Sequence, residues 1–146
     1  MRNSKLLSTL LICTFLLIFQ SCDDNKDEMD VDVNKFYEIT YRIELSGDDI
    51  ISDNPVYKYK KSDGSLVEEP LFGEDFSIKF SNFENGNEVL LDFSVTTQKS
   101  FTVKISVTGK QNGATVFLKE NERTITNPSA PIKLDLSVGG CNIPCN

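Results

Sequence analysis

The sequence predicts an all-β fold: a single antiparallel β-sandwich, immunoglobulin-like, with seven to nine strands over residues 36–138, following a cleaved signal peptide. Three observations predict it. Apolar residues alternate with polar ones in run after run, the period of a half-buried strand. Clusters of Gly, Pro, Asn and Asp interrupt the alternation at short intervals, the spacing of hairpins and sandwich crossovers. After residue 21 no stretch carries the 3.6-residue apolar period of a helix. The chain has no tryptophan and no central cysteine pair, so the immunoglobulin expectation concerns architecture alone.

Each element has its own justification. Tyr37, Ile39, Tyr41, Ile43 and Leu45 share one face of the first strand, with Glu38, Thr40, Arg42 and Glu44 on the other. Gly47 centres the turn that follows. Pro55 precedes a strand in which Tyr57 and Tyr59 alternate with Val56, Lys58 and Lys60. Ser62-Asp63-Gly64-Ser65 is a hairpin turn, because Gly accepts the positive φ a tight turn requires. Leu66–Glu69 returns from it and Pro70 ends the run. Phe76, Ile78 and Phe80 form the inner face of the next strand, and Asn85-Gly86-Asn87 turns the chain again. Val89, Leu91, Phe93 and Val95 alternate in the fifth run, and Phe101, Val103, Ile105 and Val107 in the sixth. Gly109–Gly113 reads as a hairpin loop. Thr115–Leu118 is a short strand that Arg123–Thr126 continues after a bend. Pro128 and Pro131 flank a loop, and Ile132, Leu134, Leu136 and Val138 face inward on the last strand. The core is expected around Ile39, Tyr41, Ile43, Phe93, Val103, Ile105 and Leu134. Residues 139–146 form a C-terminal tail.

The first 35 residues are organised differently. Arg2 and Lys5 precede a largely apolar run, Leu6–Phe19, and Gln20-Ser21 returns the chain to polar residues. This is the three-part pattern of a signal peptide over residues 1–21. The run is about 14 residues, short of the roughly 20 that span a bilayer as a helix. Phe19, three positions before Cys22, does not suit an ordinary small-x-small cleavage site. Asp23–Asp32, reading DDNKDEMDVD, is acid-dense and unable to bury apolar surface, so residues 22–35 are expected to form an extended tether. Asp30, Asp32 and Asn34 have the spacing of a calcium loop, but Lys35 and Tyr41 stand where that loop needs Gly and Glu, which favours a solvated linker.

Ile18-Phe19-Gln20-Ser21-Cys22 resembles the lipobox of bacterial lipoproteins. The resemblance implies cleavage before Cys22 and a thioether-linked diacylglycerol on its sulfur. Lipobox, acidic tether and single β domain together are similar to small surface lipoproteins of Bacteroidetes-type bacteria. That likeness implies an outer-membrane, lipid-anchored protein at the cell surface, with Asp23, Asp24, Asp27 and Glu28 as an export signal; the periplasmic face of that membrane is the alternative. The order of Tyr-x-Tyr, Ser-Asp-Gly turn, Phe-rich strand and late Val-Lys-Ile-x-Val-x-Gly-Lys strand also resembles MmpS-type exported accessory proteins, which have an Ig-like domain and assist a membrane transporter.

Composition excludes several chemistries. The chain holds 15 basic and 22 acidic residues and no histidine. Loss of Arg2 and Lys5 with the leader leaves 13 against 22, a formal charge of −9. An acidic chain without Lys/Arg clusters is a poor partner for nucleic acid. Without His there is neither a Ser-His-Asp triad nor a His-based zinc site. No cofactor, metal ligand set or catalytic residue is expected.

Remaining constellations are modest. Glu68, Glu69, Glu74 and Asp75 offer carboxylates that read more simply as a solvated loop, and Lys58, Lys60 and Lys61 read as a wet strand face that discourages edge pairing. Phe72, Phe83 and Phe117 fall near loops or on the outward phase, where they either bind sugar or protein or close the core ends. Cys141 and Cys145 are expected to form a local disulfide outside the cytoplasm, with free thiols or intermolecular pairing as the alternatives, in a tail too short to brace the fold. The functional expectation is a non-enzymatic binding or scaffolding module, anchored to the membrane through lipid on Cys22, with an unidentified protein or glycan ligand. The alternative is an accessory subunit of an outer-membrane transporter or envelope assembly.

Overall fold

The computed structural model describes residues 36–145. Eight strands form two four-stranded antiparallel sheets: β1 Phe36–Gly47, β2 Val56–Lys60, β3 Leu66–Pro70, β4 Asp75–Glu84, β5 Glu88–Thr97, β6 Phe101–Gln111, β7 Ala114–Ile125 and β8 Ile132–Asn142. One sheet has the order β4-β1-β6-β7 and the other β3-β2-β5-β8. The protein is therefore a β-sandwich, its core built from the inward-phase residues of both sheets.

The pairings β1–β4 and β2–β5 correspond to B–E and C–F of an immunoglobulin domain, with β8 beside β5 where strand G lies. The order departs from that pattern at one place. The hairpin β6–β7 occupies the flank of β1, the position of strand A, and adds a fourth strand to that sheet.

Alternation predicts the core well. Ile39, Tyr41, Ile43, Leu91, Phe93, Val103, Ile105 and Val107 are fully or almost fully buried. Leu134 packs against this cluster but is only partly buried, because β8 is an edge strand. Six aromatic rings gather on the β3/β4 side. Tyr57 lies 4.2 Å from Phe76 and Tyr59 lies 5.8 Å from Phe80, centroid to centroid. Their hydroxyls are satisfied where they meet the edge: Tyr41 donates to the Lys60 carbonyl at 2.7 Å and Tyr57 to Glu69 Oε2 at 2.7 Å.

Two β-bulges move residues away from their expected phase. In the β1–β4 ladder Tyr37 pairs with Phe83 but Ile39 with Phe80. The extra residue on β4 resets its alternation, so Phe83 turns inward and is fully buried. In the β6–β7 ladder Gly109 pairs with Phe117 and Lys110 with Thr115. Phe117 is thereby brought onto the inner face and lies over Gly109. A Cβ at Gly109 would fall 2.1 Å from its ring, so the absent side chain makes the space for it. Neither phenylalanine is an outward binding aromatic; both close the core, the other of the two readings the sequence offered.

Three element boundaries also differ. Gly109 belongs to β6, leaving Asn112-Gly113 as a two-residue turn, with both residues at positive φ. The bend expected in the seventh run is absent, and β7 is continuous for 12 residues. Its polar residues Lys119, Asn121 and Arg123 sit on the inward phase of an edge strand, where the side of the sandwich is open to solvent. Finally, β8 continues beyond residue 138 to Asn142, and the residues after it pack rather than trail. Ile143 and Cys145 are buried in the core cluster. The Ile143 amide donates to the Asn87 carbonyl and the Gly86 amide donates to the Ile143 carbonyl, each at 2.9 Å. Cys141 and Cys145 are joined by a disulfide, with Cα atoms 5.5 Å apart. This segment plugs one end of the core, so the expectation of a tail that does not brace the fold is overturned.

Candidate functional site

The register determines what each outer face displays. On the β4-β1-β6-β7 sheet, even-numbered residues of β1 and β6 point outward and align in rows: Thr40 with Thr108, Arg42 with Ser106, Glu44 with Lys104. β4 adds Ser77 beside Arg42, and β7 adds Leu118 beside Thr108 and Glu120 beside Ser106. Short hydroxyl residues occupy the centre and long charged ones surround them. The result is an open trough of about 570 Å3. Ser106 lies on its floor and is only 8% exposed.

Ion pairs hold the walls. Arg42 meets Glu44 at 2.8 Å and Lys104 meets Glu120 at 2.7 Å. Beyond the trough Lys79 meets Glu38 at 2.7 Å. The Glu120 carboxylate, as hydrogen-bond partner and then as charge, holds the Lys104 ammonium above the usual lysine range. These pairs are solvated and each contributes little to stability. Their consequence is positional: fixed donors and acceptors alternate around a hydroxyl floor. Leu118, 52% exposed, forms an apolar rim. A typical small-molecule pocket is enclosed and mostly apolar. This trough is open and lined mostly by polar and charged residues, with apolar surface between them, a shape suited to an extended ligand lying along the strands.

The opposite sheet carries a smaller trough of about 300 Å3. Lys58 meets Glu68 there at 2.7 Å, Ser94 donates to Asp135 at 2.7 Å and Ser137 donates to Asp92 at 2.6 Å. Lys60 pairs with Glu88. Lys58 and Lys60 thus sit on an inner strand, between β3 and β5, with carboxylate partners. Protection of an edge is not their role; they neutralise acids on the neighbouring strands.

The chain enters the domain at Phe36, at the end formed by turns 61–65, 85–87 and 112–113 and by the disulfide. The longer connections lie at the other end. They are cross-linked: Ser100 N donates to Asp48 Oδ2 at 2.9 Å, Asn127 N to Ser100 Oγ at 2.8 Å, and Thr97 Oγ1 to Asp53 Oδ2 at 2.5 Å. Lys99 also pairs with Asp53 at 3.6 Å. Phe72 projects from this end, 85% exposed. Of the three phenylalanines singled out in the sequence it alone faces solvent.

The four carboxylates of the 68–75 region are not brought together. Glu68 is on the outer face of one sheet, paired with Lys58. Glu69 accepts from Tyr57 on the inward phase. Asp75 stands beside Glu44 on the outer face of the other sheet. Among the described residues no group of three or more His, Cys, Asp or Glu assembles as a cation site. Cys22, Asp23, Asp24, Asp27 and Glu28, the signal peptide, and the Asp30, Asp32 and Asn34 spacing lie outside the described residues. The trough itself was not singled out in the sequence. Its only trace there is a row of short hydroxyl residues on the polar phase of two strands. Comparison with family models, curated proteins and solved structures finds no match to this chain.

Proposed function

We propose that this protein is a non-enzymatic binding module, anchored in the outer membrane through lipid on Cys22 and carried to the cell surface by the acidic run that includes Asp23, Asp24, Asp27 and Glu28. The outer trough of the β4-β1-β6-β7 sheet is its ligand face. The observation that carries this reading is the trough's construction: a hydroxyl floor at Thr40, Ser106 and Thr108 between ion-paired walls. Such a surface offers donors and acceptors in fixed alternation without an enclosed cavity or a general acid–base pair. The ligand is a protein segment or a glycan chain.

Protein and glycan arrays probed with the mature lipoprotein test this. Ser106→Arg places a long side chain on the floor and is expected to lower binding of any array hit at least tenfold. Lys133→Ala, on the other sheet, is expected to leave it unchanged. A hit that binds Ser106→Arg as well as the natural chain removes the trough from the account. The rival reading, an accessory subunit of a transporter or envelope assembly, predicts instead a stoichiometric membrane partner in pull-downs from detergent-solubilised membranes.

A further inference from the structure

Each sheet ends in two strands with an unpaired side, and native sandwiches protect such edges against pairing with other chains. Three of the four edges here are blunted. β3 is five residues long, carries Glu68 and Glu69, and ends in Pro70. β7 turns Lys119, Asn121 and Arg123 inward, and Asn121 Nδ2 donates to the Ser137 carbonyl at 2.9 Å. That bond also engages the edge of β8, which Gly139 and Gly140, both at positive φ, bend near its end.

β4 differs. It is ten residues long without Pro or Gly, and within the domain it pairs with β1 alone. Its bulge with β1 lies beyond Phe80, so Asp75–Phe80 is a regular run. The inward row Phe76, Ile78, Phe80 is apolar and only partly buried. Phe76 and Phe80 are braced from behind by Tyr57 and Tyr59. No inward charge guards this row.

The outward row is self-complementary. We infer that β4 is the docking edge for a second copy of this chain, whose own β4 adds to it antiparallel with Ser77 on the two-fold axis. In this register Asp75 stands directly opposite Lys79 of the second copy, twice over, and Phe76 stands opposite Ile78, again twice. Opposite charges and apolar pairs in directly opposed positions both favour pairing. Shifting by two residues along one strand places Ile78 on the axis and separates the charges. A shift of four places Lys79 opposite itself, which is repulsive. Charge thus selects one register among those that keep the apolar rows on the same face.

The arrangement is compatible with two anchors. A two-fold axis of this kind sets the two Phe36 ends at opposite ends of the pair. Strand β1, with 12 residues, is about 40 Å long. The 14 residues from Cys22 to Lys35 reach at most about 50 Å. That length does not prevent anchoring of both copies. The inference does not depend on the proposed anchor, because it rests on the exposed β4 edge and its residues alone.

Engineered-cysteine cross-linking of the full mature protein in detergent tests it. Opposed Cα atoms in an antiparallel pair are about 4.5–5.5 Å apart, within disulfide reach. Under mild oxidation Ser77→Cys is expected to convert most of the protein to a covalent dimer. Lys133→Cys on β8 is expected to remain monomeric. Lys79→Asp is expected to weaken dimerisation at least tenfold in sedimentation, and the double change Asp75→Lys with Lys79→Asp to restore it. A Ser77→Cys chain that cross-links no more than Lys133→Cys overturns the inference. So does its capture of a different polypeptide in place of itself, or a double change that fails to restore dimers while retaining the native fold by circular dichroism.

Discussion

Phe83 and Phe72 show how little residue type decides. Both are phenylalanines near strand ends, yet Phe83 is fully buried and Phe72 is 85% exposed. The difference lies in the bulge between the Tyr37 and Ile39 pairings, which turns Phe83 under the sheet, while Phe72 sits in the β3–β4 connection. Removing a buried aromatic side chain loses transfer free energy and leaves a cavity, so Phe83→Ala is expected to cost about 3–5 kcal/mol. Phe72→Ala lacks either consequence and is expected to change stability by no more than about 0.5 kcal/mol. Urea unfolding of the two variants checks this, and similar midpoints for both would refute the assigned core. These two positions also mark the limit of reading alternation. Period 2 correctly identifies inward residues until an extra residue is inserted. Nothing in the local composition around Ser81-Asn82, or around Lys110 opposite Thr115, announces that insertion. Gly109 was the available clue for Phe117, since a glycine on an otherwise Val/Ile row signals close approach by something large.

At the scale of elements, the closing segment of the chain carries more than its length suggests. From sequence it is a short polar tail with two cysteines. In the fold it follows β8, delivers Ile143 into the core and hydrogen-bonds both ways to the β4–β5 turn. The disulfide closes a loop of only five residues, for which unfolded-chain entropy gives roughly 2 kcal/mol. Loss of the Ile143 side chain from a buried site is expected to cost about 2–5 kcal/mol. Reduction is therefore expected to lower the urea midpoint, and Ile143→Ala to lower it at least as far. An unchanged midpoint on reduction would show that the cross-link does not brace this end. The strands themselves were legible because each buries one face. β7 was the exception: beyond Phe117 its inward residues include Lys119, Asn121 and Arg123, so its pattern looked interrupted although its ladder with β6 runs its full length. The trough was illegible for the opposite reason. Outward residues carry no periodic signal beyond polarity, and only the register Thr40–Thr108 and Arg42–Ser106 shows that short hydroxyls line up across strands.

For the whole molecule, an acidic, histidine-free chain forms over its described residues a sandwich whose first strand starts at the end opposite the long loops. The proposed lipid anchor on Cys22 is the premise on which the proposed cellular role rests. Replacing Asp23, Asp24, Asp27 and Glu28 by Ala addresses only the side of the membrane reached, whereas the state of Cys22 addresses the premise itself. The direct measurement is mass spectrometry of the N-terminal peptide of the mature protein, isolated from the envelope of cells that make it. A lipid anchor requires a chain beginning at Cys22 with acyl chains on that residue, and a Cys22→Ala variant that loses them. A mature chain with unmodified Cys22, or one cut at another position, would contradict it.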